Sequence, residues 1–209
     1  MVPLLLTGLL AVISWQVAVG GPLLGLDLSA RHGVHELRGW LDNPWVDYGA
    51  RGLADLGGAF PAIPVLLAAA VLAARRQWRA GGPRWWLPLP AAALAAVLIP
   101  LLVVPAKAWF ARPGPLGETV RAGGLGWYPS GHTATSAIAY GTAALLVGRT
   151  LASPAARRWL YAATAAVCCG VGAGLVWSDY HWLLDVTASW CLAGSVLWAL
   201  DRRLPGPVG

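Results

Sequence analysis

Apolar residues gather in six long stretches, near 2–22, 53–74, 86–106, 132–149, 159–177 and 182–200, and the intervals between them hold most of the charge. Each stretch is close to the ~20 residues that a helix needs to cross the hydrocarbon core of a bilayer. The pattern predicts an all-α fold, a bundle of six transmembrane helices. The first stretch lacks a basic leader and an obvious small-residue cleavage site, and so reads as a retained helix rather than a signal peptide. Pro88 and Pro90 predict a kink near the start of the third, which neighbouring helices can accommodate. The interval 23–52 mixes charged and apolar residues and carries Trp40, Trp45 and Tyr48, predicting an amphipathic interfacial helix that caps the outer face.

Composition sharpens this picture. Only 11% of the 209 residues are charged and 57% are hydrophobic, with a mean hydropathy of +0.60. Soluble domains carry roughly 25% charged residues, so this chain is built for a membrane. The length, and the absence of repeats or low-complexity tracts, predict a single domain over 1–209. The net charge of +6 does not imply nucleic acid, because the basic residues form short clusters between apolar runs and no stripe interleaved with aromatics. Cys168, Cys169 and Cys191 lie within apolar runs, without metal-ligand or disulfide spacing, and read as small core residues. Tryptophans such as Trp85, Trp86, Trp109, Trp127, Trp159, Trp177 and Trp182 fall near span ends, as interface anchors do.

The distribution of charge sets an orientation. One set of loops holds nine arginines (Arg75, Arg76, Arg79, Arg84, Arg149, Arg157, Arg158, Arg202 and Arg203) against Asp201, a local net of +8. The other holds Arg31, Arg38, Arg51, Lys107, Arg112 and Arg121 against eight acids (Asp27, Glu36, Asp42, Asp47, Asp55, Glu118, Asp179 and Asp185), a local net of −2. The basic loops are expected in the cytoplasm, with both termini there.

Under that topology, residues from three separate segments meet at the outer end. Ser130 and Gly131 stand where a loop becomes a helix, so free N–H groups and the positive end of the helix dipole form a ready anion site. His132 follows at once. His181 and Asp185 are four apart and share a helical face, allowing the carboxylate to hold one imidazole nitrogen while the other faces a substrate. Lys107 and Arg112 supply positive charge nearby. Together they point to phosphate chemistry, with no site for a metal and no cofactor. Taken singly, Lys107 could only snorkel to headgroups, Arg112-Pro113-Gly114-Pro115 could be a turn, and Ser130 an N-cap. Ionisable residues such as His181 and Asp185 at a membrane helix end are usually functional. His32 and His35 lack partners at metal spacing and read as solvated; Asp179 reads as a loop residue that could tune His181.

The order Lys107…Arg112-Pro113, Pro129-Ser130-Gly131-His132 and His181-x-x-x-Asp185 resembles the membrane-bound type-2 phosphatidic acid phosphatase family, which shares its site with the vanadium haloperoxidases. The similarity spans about residues 100–200. It implies a six-span protein of the plasma membrane with the site facing outward. His181 would be the nucleophile forming a phosphohistidine, Asp185 its orienting partner and His132 the general acid. Ser130, Gly131, Lys107 and Arg112 would hold phosphoryl oxygens. Two positions depart from the family pattern. Its usual arginine seven after the lysine is Gly114 here, and its Ser-Arg pair before the nucleophile is Gly174-Leu175. Arg112 or Arg121 could compensate.

The leading expectation is therefore a metal-independent lipid phosphatase acting on a polyprenyl diphosphate, phosphatidic acid or phosphatidylglycerophosphate, with the bilayer and the lipid phosphate as its partners. The alternative is a lipid-phosphate binder or transporter of the same fold that has lost hydrolysis. The missing arginines favour it, while the complete His132/His181/Asp185 set opposes it. An intramembrane protease is disfavoured because Ser130 and His132 are too close in sequence for a dyad on separate helices. The sequence leaves the oligomeric state open.

Overall fold

The structure, a computed structural model, describes residues 1–121 and 123–204. The described residues form eight helices and no strand: α1 (Val2–Val19), α2 (Leu24–Leu41), α3 (Pro44–Asp55), α4 (Ala59–Arg79), α5 (Pro88–Phe110), α6 (Gly131–Gly148), α7 (Pro154–Trp177) and α8 (Leu183–Arg203). Five of them, α1, α4, α5, α7 and α8, are long and apolar enough to cross a membrane.

The remaining expected span is α6, and it differs for a physical reason. It is the hub of the bundle, packed against α4, α5, α7 and α8, with 12 of its 18 residues buried. A helix enclosed by protein needs no leucine-rich surface. It carries instead small and hydroxylated residues that admit close neighbours. Ser136 Oγ donates back to the Thr133 carbonyl at 3.1 Å, which satisfies a buried hydroxyl within the helix. Apolarity therefore identifies the five peripheral helices and understates the central one.

The second expected span also shifts. Residues 53–58 belong to the end of α3 and a turn, and α4 starts six residues later than the apolar pattern suggests. Pro88 occupies the first position of α5, where its missing N–H breaks no helical bond. The prolines inside this helix are Pro100 and Pro105.

The 23–52 interval is two helices, not one. Asp42 takes a left-handed conformation (φ 38°), and the Asn43 side chain accepts from Trp45 N–H at 3.0 Å to start α3 at Pro44. Trp40, Trp45 and Tyr48 are exposed. The opposite face of α3 docks on α7 through an unusually close approach at Gly174, where a Cβ would lie 2.3 Å from the Ala50 carbonyl oxygen. A serine, the family's usual residue there, could not occupy this position without moving α3. On α7, Cys168 is buried and Cys169 exposed, so the core reading fails for Cys169; Cys191 on α8 is buried.

α1 packs along α8, and Ser14 Oγ lies 2.7 Å from the Tyr128 hydroxyl. The first apolar stretch is thus tied to the loop that leads into the Ser130 helix start. At one end of the bundle Arg149 bonds Asp201 (2.8 Å) and Arg76 bonds Thr150 (3.2 Å). The end of α5 and the starts of α6 and α8 lie at the other.

Candidate active site

Two connections, α5–α6 and α7–α8, place the candidate residues. α6 begins at Gly131 with Ser130 as N-cap: the Ser130 hydroxyl accepts from Thr133 N–H (3.3 Å) and from the Thr133 hydroxyl (3.0 Å), which leaves its own proton to donate. Ser130 N–H donates to the Asp185 carbonyl (3.2 Å), and Ser189 Oγ donates to the Ser130 carbonyl (2.9 Å). These two bonds lock the start of α6 to the first turns of α8.

α8 begins after Trp182, and Asp185 in its first turn accepts from Trp182 N–H (3.3 Å). The same carboxylate oxygen, Oδ2, lies 3.1 Å from His181 Nδ1. With a carboxylate as acceptor, Nδ1 carries the proton and Nε2 keeps its lone pair. Both side chains are buried, Asp185 completely. Burial holds the His181 imidazole below its ordinary pKa of 6.5, against the opposing pull of Asp185. His181 is therefore a neutral, oriented base at neutral pH.

Lys107 lies one turn from the end of α5. Its ammonium donates to the carbonyls of Gly126 (2.8 Å) and Trp127 (3.2 Å), so it turns inward to the loop instead of snorkelling to the surface. Its Cε lies 3.6 Å from where a Gly131 Cβ would be, placing a cation beside the positive end of α6. His132 and His181 line one cleft of about 340 Å³, together with Trp127, Asp55, Glu118 and Leu175. Gly57 makes this wall possible, since a Cβ there would fall 2.7 Å from the His132 Cβ.

Arg112 sits elsewhere. It is buried, and its guanidinium bridges two carboxylates: Nη1 donates to Asp185 Oδ1 and Nη2 to Asp27 Oδ2. Its face stacks on the Trp182 ring at 5.4 Å, while the Trp182 indole N–H donates to the Pro113 carbonyl at 2.9 Å. The residue lines a separate recess with Asp27, Leu28 and Trp182, not the cleft of the two histidines. Arg121 is exposed in its loop.

The two departures from the family pattern also have visible surroundings. A Cβ on Gly114 would lie 2.3 Å from Glu118 Oε2, so the glutamate fills the space beside this position. Leu175 is packed with Ala54, Val171 and Val186, and its carbonyl accepts from both Tyr180 N–H (2.9 Å) and His181 N–H (3.3 Å). Its backbone thus positions the histidine although its side chain is apolar.

The charge distribution counts Asp27 among the acids of the outer loops. It is 2% exposed and accepts from Leu184 N–H at 2.8 Å, capping α8 from α2. Burial raises its carboxyl pKa, and the bond from Arg112 opposes the rise. Nor is His35 simply solvated: its Nε2 lies 2.8 Å from Asp179 Oδ2, and Arg31 donates to Asp179 Oδ1 at 2.8 Å. Burial would raise the Asp179 pKa, but the bonds from Arg31 and His35 outweigh it and hold it down. Asp179 thereby anchors α2 to the turn bearing His181. Spacing alone could reveal neither contact, because the partners are about 150 residues apart. His32 is exposed and pairs with Glu36 at 3.1 Å. Tyr128, beside the Ser130 motif, is buried, which pushes its phenol up to about 12 and makes it a structural tie. No cluster of three or more His, Cys, Asp or Glu side chains suited to a metal occurs among the described residues.

A helical bundle in which a histidine held by an aspartate shares a cleft with a second histidine, beside the free N–H groups of a helix start, has the groups that phosphoryl transfer needs. The PAP2 superfamily model matches residues 86–204, and the chain belongs to that superfamily. The fold is similar to that of the transmembrane PAP2-type phosphatidylglycerolphosphate phosphatase from Bacillus subtilis, with a TM-score of 0.77 and 18% identity over 97% of each chain. No curated protein matches the sequence significantly. Family and fold together support a membrane-bound phosphatase.

Proposed function

We propose that this protein hydrolyses a lipid phosphate through a phosphohistidine. The observation that carries the reading is His181, held from behind by the buried Asp185, opening on the same cleft as His132, with Lys107 beside the start of α6. In the first step, His181 Nε2 attacks phosphorus and the P–O bond to the lipid breaks. His132 gives its proton to the departing oxygen. The imidazole becomes positively charged as the N–P bond forms, and Asp185 at Nδ1 stabilises that charge. In the second step, His132 takes a proton from water as the water attacks phosphorus. Phosphate leaves and His181 is restored. The free N–H groups at the start of α6, the Ser130 hydroxyl and the remaining N–H of Lys107 supply donors for the equatorial oxygens.

Arg112 was expected to bind phosphate. Its two carboxylate partners support a different role, that of holding Asp185. Charge on the transferred group then falls to Lys107 and the helix start, a smaller complement than the family's usual arginines provide. This favours a phosphate monoester over a diphosphate, which puts a second charged phosphate directly beside the transferred group. Phosphatidic acid and phosphatidylglycerophosphate monoesters are accordingly the first candidates, ahead of polyprenyl diphosphate. The basic end carrying Arg76 and Arg149 fits the cytoplasmic side, which supports a cleft at the outer leaflet.

The test is phosphate release by purified protein from these three lipid phosphates, with EDTA present. Hydrolysis by the parent, abolished in His181→Ala and blocked by vanadate, is expected. Binding without release, in a parent that never forms an acid-labile phosphoenzyme, would establish the binding-protein alternative, which the crowding of Gly114 by Glu118 favours.

A further inference from the structure

We propose that Asp27 is a positioning residue for phosphoryl transfer: by sharing Arg112 with Asp185, it keeps Asp185 negative enough to support the charge that develops on His181. The inference rests on the phosphatase reading above and extends it to a helix outside the matched residues 86–204.

The argument begins with charge. Asp27, Arg112 and Asp185 are all buried, and one guanidinium serves both carboxylates. If Arg112 paired with Asp185 alone, the two charges would cancel, leaving His181 against a nearly neutral partner. With Asp27 as second acceptor, the three side chains carry a net −1 when all are ionised. At the low effective dielectric of a buried site, this excess is felt by the neighbouring imidazole. Arg112's planar fork suits this division, since its two terminal nitrogens each reach a different carboxylate.

Geometry adds a second tie. Asp27 Oδ1 accepts from Leu184 N–H, the residue just before Asp185. One side chain on α2 therefore fixes both the backbone at the start of α8 and the guanidinium behind Asp185. Other charged groups face His181 from the surrounding elements: Lys107 on α5, His132 on α6, Asp55 on α3, Glu118 in the α5–α6 loop and Asp179 in its own turn. None of these touches Arg112, so its charge is divided by Asp27 alone among the described side chains.

The test uses the full-length protein in detergent and dioctanoyl phosphatidic acid. Asp27→Asn keeps an oxygen to accept from Leu184 N–H but removes the charge. Its kcat is expected to fall about tenfold or more with KM little changed, and the acid limb of kcat/KM to move to lower pH, because a more neutralised Asp185 supports the imidazolium less. The decisive variant is Asp27→Asn with Arg112→Gln. Removing the guanidinium's charge as well leaves Asp185 unopposed, so the double variant should recover activity relative to Asp27→Asn. A purely structural Asp27 predicts the reverse, a double variant worse than either single one and an unmoved pH profile; that result overturns the proposal. If neither Asp27→Asn nor the double variant folds, Asp27 is scaffold and the proposal also fails. A parent that hydrolyses nothing, or whose activity survives His181→Ala, refutes the phosphatase reading itself, a separate outcome.

Discussion

Replacing Arg112 by alanine separates two roles that an arginine in this motif can have. In the structure its guanidinium bridges Asp27 and Asp185, both almost wholly enclosed. Removing it leaves two buried carboxylates without their cation. Breaking a buried ion pair from one side costs about 3–5 kcal/mol, because the abandoned charge stays desolvated. For a chain of this size, that is roughly 6–20 °C in unfolding temperature. The catalytic loss follows from Asp27: with the shared cation gone, its remaining charge repels Asp185 from its place against His181, and kcat should fall roughly a hundredfold or more. Arg112→Lys should recover only part of both effects, since a point-charge ammonium cannot span the two carboxylates as a planar fork does. The assay pairs thermal unfolding in detergent with steady-state hydrolysis and vanadate titration. A phosphate-facing arginine would behave differently, with vanadate affinity collapsing and unfolding temperature unchanged within about two degrees, well under the 6–20 °C above. That pattern would refute the assignment of Arg112 to Asp185.

Other outcomes follow from the same geometry. The nucleophile must be neutral, and burial holds the His181 pKa below 6.5, so the acid limb of kcat/KM should lie below that pH; a limb above it would contradict the buried, neutral imidazole. Protonating His181 on acidification costs folding free energy as well, because the unfolded chain takes up that proton at a higher pH, and stability should decline as pH falls through the unfolded value. Gly174→Ala should destabilise the protein by about 1–3 kcal/mol, the usual cost of overpacking, and should reduce activity through α3, whose Asp55 lines the cleft; an unchanged melting curve would show that α3 yields freely. A membrane-impermeant thiol probe should label Gly124→Cys but not Gly82→Cys in intact cells, once the exposed Cys169 is replaced by serine, and the opposite pattern would put the cleft in the cytoplasm.

Some of this was legible in residue order alone. Hydrophobic runs mark helices because a bilayer demands about 20 apolar residues with internally satisfied backbones, and five of the six predicted stretches correspond to helices that meet that demand. The local pieces of the site were equally readable: Ser130 capping α6, and His181 four residues before Asp185, are relations within one turn of helix. α6 was predicted from its place in the pattern, but its centrality was not, since enclosure by four neighbours relaxes the need for apolarity and only packing reveals the neighbours. The break at Asp42–Pro44 was likewise hidden, because a continuous amphipathic segment and two short helices differ by a single left-handed residue.

What tertiary structure decided is which charges meet. Asp27 looked like one more acid in a loop, and Arg112 like a replacement clamp two residues before the family's usual position. Across 85 residues of chain they form one buried pair, and Asp179 reaches Arg31 across 148. Sequence fixes periodicity and short-range geometry through backbone stereochemistry; long-range electrostatic partnership depends on how α2 lies against the start of α8, and no local pattern encodes that placement.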